Sequence, residues 1–192
     1  MISYLLAGPA VEPLALAEAR AWLRLDTEAE DSLVTTLIAA ARLHVESLTG
    51  RALLTQSWRL VLDQWPADRV VTLPVAPLIS LTAIRAFDDD DDEHMVPLAQ
   101  FTPETGVHPA RLLLPATVAG MPALRQRLGL EIDYVAGFGA EPEAVPADIK
   151  AAMLQLVAYW FENRDAVLVA GSGAVVPAGF DRALTPYRRA RL

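Results

Sequence analysis

The groups with which this chain could do chemistry are few and scattered. There is no cysteine, and the three histidines, His44, His94 and His108, share no local motif. A catalytic reading needs a nucleophile, a base and an orienting group that meet in space. His44 lies in a helical stretch beside Val45 and reads as a helix-face residue, His94 follows an acidic run, and His108 falls in a proline-rich loop. No G-x-S-x-G, P-loop, H-E-x-x-H or G-x-G-x-x-G occurs. Asp88 to Asp92 with Glu93 form six consecutive acids. Carboxylate oxygens suit hard cations, but the run lacks the alternating ligands and central glycine of a calcium loop. Its self-repulsion predicts an exposed hairpin tip or loop. No catalytic residue, metal site or cofactor is therefore assigned, and the chain reads as a non-enzyme. The enzymatic reading left open is a small hydrolase or nuclease built on the carboxylates. The remaining concentration of charge is the C-terminal DRALTPYRRARL, where Arg182, Arg188, Arg189 and Arg191 face one acid, Asp181. A basic, aromatic-bearing tail on an acidic body suits docking to an acidic partner surface, with a solvated terminus as the alternative.

Composition narrows the partners. Net charge is −8, and the basic set is fifteen arginines and one lysine, Lys150. An acidic chain grips nucleic acid poorly, because that binding is driven by basic groups releasing counterions. It can still line a passage through which DNA slides. With 53% hydrophobic residues and a mean hydropathy of +0.29, the chain is expected to bury apolar surface between subunits. The opening MISYLLAGPAVEP has no basic n-region, and no apolar run reaches 18 residues, so a soluble protein without signal peptide or membrane span is expected.

The elements that must position these groups begin with a spine helix. Thr27 and Glu30 have the spacing of a capping box, and Leu33, Leu37, Ala40, Ala41, Val45 and Leu48 recur at helical spacing, widened by Val34 and Ile38. Gly50 supplies the stop. The spacing predicts a helix over about 28–49. A short helix over 12–25 should pack on it, with Trp22 as a core aromatic. A second strong helix follows Val145-Pro146, over about 147–163. Its apolar face includes Ile149, Leu156 and Trp160 and is wide enough for more than one neighbour. Leu33, Leu37, Val45, Ile149, Leu156 and Trp160 are thus the expected residues of core and subunit packing.

Between the helices the period changes to two. Trp58, Leu60 and Leu62 alternate with Ser57, Arg59, Val61 and Asp63, and Leu128, Leu130, Ile132 and Tyr134 alternate with Gly129, Glu131 and Asp133. Shorter strands are predicted at 70–73, 81–87, 95–98 and 111–114. Eight prolines from Pro66 to Pro122 punctuate the interval, as in a small antiparallel sheet rich in turns and edges. The class is α+β: a helical core with an inserted antiparallel β module. The expected division is N-terminal helices over 1–53, β module over 54–136, C-terminal core helix over 137–166 and an extended docking tail over 167–192.

Several of these stretches also carry a family resemblance. LAEARAWLRLD at 16–26, EDSLVTTLIAAARLHVESLTGRALLTQSW at 30–58, Asp63 with Trp65-Pro66, YVAGFG at 134–139, VPADIKAAMLQLVAYWFENRD at 145–165 and the closing PYRRARL resemble the head-tail connector, or adaptor, proteins of long-tailed phages and gene transfer agents. The resemblance implies a structural protein of the neck of a virion or phage-like particle, made in the bacterial cytoplasm. It implies a twelve-fold ring of the chain with itself beneath the portal protein, a central channel that DNA traverses without sequence-specific binding, and a head-closure (stopper) protein on the opposite face. Carried over by position, the portal-docking residues are Pro186, Tyr187, Arg188, Arg189 and Arg191. A head-closure or tail-completion role in the same neck is the alternative. Two features depart from the pattern: Ala15 stands where a Ser or Thr often caps the first helix, and the acidic run at 88–93 is extra.

Overall fold

The computed structural model describes residues 1–163 and 178–188, which divide into two compact units. One is Met1–Ala10 with Gly50–Phe138, and the other is Val11–Thr49 with the described residues after Phe138. The chain is mixed α and β, with four helices and antiparallel sheets among the described residues.

The helical unit opens with α1 (Leu16–Leu23), whose N-terminal neighbour Ala15 offers no side-chain cap. It ends on Arg24 in the left-handed region (φ 56°), where the amides of Arg24 and Leu25 donate to the carbonyls of Ala21 and Arg20, a closure usually made by glycine. Helix α2 (Asp31–Thr49) starts later than the capping box predicts. Residues 27–30 form a turn instead. The Asp31 amide donates to the Glu28 carbonyl, and Arg20 reaches Asp31 at 3.3 Å. The buried line of α2 is Val34, Ile38, Ala41, Val45 and Thr49, rotated from the predicted stripe. Leu33 and Leu37 are half-buried, and Leu48 is exposed. Thr49 can lie on the buried line because its hydroxyl donates back to the Val45 carbonyl at 2.8 Å. Arg42 ties the unit together, donating to both carboxylate oxygens of Glu12 (2.8 and 3.2 Å) and to Glu46 (3.0 Å). Burial lowers its affinity for a proton, and the two carboxylates more than offset that, so its pKa is raised.

Helix α3 (Ala147–Glu162) follows Pro146, and Asp148 in its first turn accepts the Ile149 amide. It buries Ile149, Ala152, Met153, Leu154, Leu156 and Val157. Lys150 pairs with Glu18 of α1 at 3.3 Å. Trp22, expected in the core, is 52% exposed.

The β unit holds a five-stranded antiparallel sheet built from β1 (Ile2–Ala7), β2 (Gln56–Leu62), β4 (Leu78–Phe87), β5 (Glu93–Met95) and β8 (Leu130–Ala136), in the order β1-β2-β8-β4-β5. Strands β3 (Val70–Thr72), β6 (Thr102–Glu104) and β7 (Arg111–Leu113) make a second sheet, ordered β3-β7-β6. The predicted alternation places Leu60, Leu62, Leu130, Ile132 and Tyr134 in one apolar core with Ile84, Phe101 and Leu112. On the other face Arg59, paired in register with Asp133, donates to both oxygens of that carboxylate (2.6 and 2.8 Å). Arg85 reaches the same group at 2.6 Å.

Three expectations change here. The first ten residues, grouped by sequence with the helices, fold with the β unit, because ISYLLA pairs along β2. Strand β6 adds to the predicted set. Pro103 at its centre argues against a strand except at an edge, which is where it lies. Leu128 is not in β8. It is left-handed (φ 54°) and 41% exposed, and its amide is held by Asp63 at 2.8 Å.

The acidic run forms the exposed tip of the β4–β5 hairpin. Asp88 accepts the amides of Asp90 and Asp92 and meets His94 Nε2 at 2.7 Å. The hydrogen bond from His94, aided by those amides, holds the Asp88 pKa below its ordinary value. Arg125 neutralises Asp91 at 2.7 Å while lying over the Phe87 ring.

Candidate assembly surfaces

The C-terminal docking stretch is the first candidate surface. Its described part is not extended. Residues Ala178–Leu184 form a helix, α4, and Thr185–Tyr187 continue it as a 3-10 turn. Phe180 and Leu184, four residues apart and so on one face, are both fully buried. The His44 ring of α2 lies 5.6 Å from Phe180 and meets Trp160 of α3 edge-on at 5.8 Å. A helix of seven residues has little stability alone, so this apolar pair is what fixes α4 within its unit. The turn is pinned further. The Tyr187 hydroxyl donates to Asp148 at 2.9 Å, Thr185 donates to the Asp181 carbonyl at 2.9 Å, and Arg188 pairs with Asp181.

Of the five residues carried over for docking, Pro186 and Arg188 are exposed and Tyr187 is half-buried. Arg189 and Arg191 lie outside the described residues. Among the packing residues, Val45, Ile149 and Leu156 are buried, while Leu33, Leu37 and Trp160 are half-buried. Phe180 and Leu184 were not expected to be buried, because 167–192 read as one extended tail, in which no buried apolar pair is looked for. Their spacing of four was the available signal.

The second surface is the outer edge of β1. Ile2, Tyr4, Leu5 and Leu6 are each more than two-fifths exposed, and ISYLLA contains no charge or proline, the devices that usually protect an edge strand. Among the described residues no catalytic constellation accompanies either surface. His94 is engaged with Asp88 and His44 with aromatic rings, and among the described residues no three His, Asp or Glu side chains are grouped to hold a metal ion. No described helix is long and apolar enough to cross a membrane.

The model of a family described as "Head completion protein" matches residues 14–174. The chain belongs to the head completion protein family. Comparison with curated proteins finds no match. Among solved structures, a chain from the neck of an empty gene transfer agent (GTA) particle, computed with C6 symmetry, is 29% identical with a TM-score of 0.80. A chain from the virion of a native GTA particle is 28% identical at 0.80, and one from a native GTA neck computed with C12 symmetry is 27% identical at 0.76. Each similarity covers 100% of this chain and 97% of the other. Two of these relatives are chains of a particle neck and the third is a chain of a virion, and a family of head completion proteins is a structural family rather than a class of enzymes. The similarity to adaptors of gene transfer agents read from the sequence agrees with this assignment.

Proposed function

We propose that this head completion protein is the adaptor of a phage-like particle. In this reading, copies of the chain form a ring beneath the portal, with a central channel for DNA, and the ring hands on to a head-closure protein and the tail. The observation that carries the reading is full-length similarity to chains of GTA necks determined with C6 and C12 symmetry. The net charge of −8 suits a channel wall that should not retain DNA. The apolar β1 edge and the half-buried Leu33, Leu37 and Trp160 suit a chain that buries more surface on assembly. Docking to the portal is assigned to Pro186, Tyr187, Arg188, Arg189 and Arg191.

The test is the mass of the purified chain, alone and mixed with portal protein, for wild type and for a truncation lacking 186–192. The cut falls beyond Leu184 so that the buried pair of α4 is retained. Wild type is expected to join portal in one discrete complex, and the truncation to stay folded but lose it. Unchanged portal binding by the truncation refutes the docking assignment. The family description itself favours one second reading, a head-closure or tail-completion role, which binding to tail tube without binding to portal would establish.

A further inference from the structure

The β unit carries a cleft of about 270 Å³ lined by Trp65, Pro66, Leu114, Pro115, Val118 and Met121, with Ala116 on its rim and the side chain of Arg69 contributing its one charge. Its walls are fixed. The Trp65 indole donates to Met121 Sδ at 3.1 Å and packs against Phe101 of the core at 5.5 Å between ring centroids. The backbone of Arg69 is fixed as well. Its backbone is left-handed (φ 59°), its amide donates to the Pro66 carbonyl, and its own carbonyl accepts the Leu114 amide. Its guanidinium is exposed and has no ion pair among the described residues, although the chain carries 24 acids. By contrast Arg20, Arg42, Arg59, Arg85, Arg125 and Arg188 are all paired. Arg24, Arg111, Arg127 and Arg182 share that freedom, but Arg69 alone of these five lines this cleft.

We infer that this cleft is an anchor site for an apolar side chain of a protein partner, with a carboxylate beside that side chain held by Arg69. Two features set the chemistry. The volume lies at the lower end of the usual range of small-molecule pockets, roughly 300–1,000 Å³, and has room for one large side chain. Aromatic and aliphatic anchors in such pockets carry much of the energy of protein interfaces. The lining offers no acid and one planar cation that binds a carboxylate through two parallel hydrogen bonds. An apolar residue flanked by Asp or Glu satisfies both parts, whereas a basic peptide or a nucleic acid satisfies at most one. The cleft is separate from the docking segment after Leu184, so the inference goes beyond the portal reading and survives its failure.

The probe is N-acetyl-L-phenylalanine, with its carboxamide as the uncharged control. Both are titrated into the full chain while the Trp65 indole N–H is followed by NMR, assigned with Trp65→Phe. The acid is expected to shift that resonance saturably, with half-saturation on the order of 1 mM for so small a ligand, and the carboxamide to bind at least fivefold more weakly. Arg69→Gln should remove the preference for the acid. Ala116→Phe, at an exposed position, should abolish both titrations without changing the melting temperature. Equal affinity for acid and carboxamide, or no shift at Trp65, overturns the proposal. If portal binding fails but the Trp65 titration behaves as expected, the adaptor reading falls and the anchor site stands.

Discussion

Replacing Phe180 by Ala tests how the C-terminal segment is held. Phe180 is fully buried, and Phe→Ala at such positions costs about 3–5 kcal/mol. Against that stand Leu184, worth about 1.5–3 kcal/mol of apolar burial, and the hydrogen bond from Tyr187 to Asp148, worth about 1 kcal/mol. These barely match the loss, and they must also hold a seven-residue helix that is unstable alone. The expected result is local release of α4 while α1, α2 and α3 stay folded. Limited trypsin digestion reads this directly, because Arg182 lies inside α4 and Arg188 just after it. Cleavage at Arg182 should accelerate by at least tenfold. Far-UV circular dichroism should change little, and Trp160 fluorescence should shift as its neighbourhood opens. If Arg182 remains as resistant as in wild type, Phe180 is not what holds α4. If the whole protein melts instead, α4 is part of the cooperative core rather than a segment docked upon it.

Two further predictions concern the β unit. Burial pushes the Asp133 carboxyl up, but Arg59 and Arg85 outweigh it and hold the pKa below its ordinary 3.8. A depressed acid stabilises the fold above its unfolded value and loses that contribution as pH falls through the folded value. Stability should therefore decline below about pH 4, and Asp133→Asn should flatten that acid limb in urea melts at pH 7 and pH 3; an unchanged limb refutes the assignment. Gly137 has φ 144°, and a Cβ there would sit 2.4 Å from the Leu54 carbonyl oxygen, so Gly137→Ala should cost more than about 2 kcal/mol in the same melts. Gly106, where a Cβ would meet nothing within 4 Å, is the matched control and should tolerate Ala within about 1 kcal/mol.

Period, more than propensity, decided what could be read from the residues. Alternation in QSWRLVL and LEIDYVA located β2 and β8 and the face each buries, because a half-buried strand must repeat every two residues. The helical repeat located α2 and α3 in the same way. Rotation about the axis was less legible. Leu33, Val34, Leu37 and Ile38 are all apolar, so composition left two adjacent stripes for α2, and contact with the neighbouring helices selected Val34 and Ile38. Strand β1 was illegible for a related reason. ISYLLA is apolar on both faces, so it carries no alternation, and it is a strand through pairing with residues fifty or more positions away.

The apolar composition of β1 bears on function. An edge strand apolar on both faces costs solubility in a lone subunit, and nothing inside the β unit covers those side chains, since Ile2, Tyr4, Leu5 and Leu6 all remain exposed. The same holds for the half-buried flank of α2 at Leu33 and Leu37. A monomeric protein would be expected to place polar groups at such positions, whereas a chain that functions in an assembly gains by burying them there. The residues that fit their own unit poorly are therefore the ones that a neck assembly would put to use. The anchor cleft at Arg69 is a smaller case of the same kind: an apolar hollow with a cation unpaired among the described residues is complementary to an acidic, apolar segment of another chain.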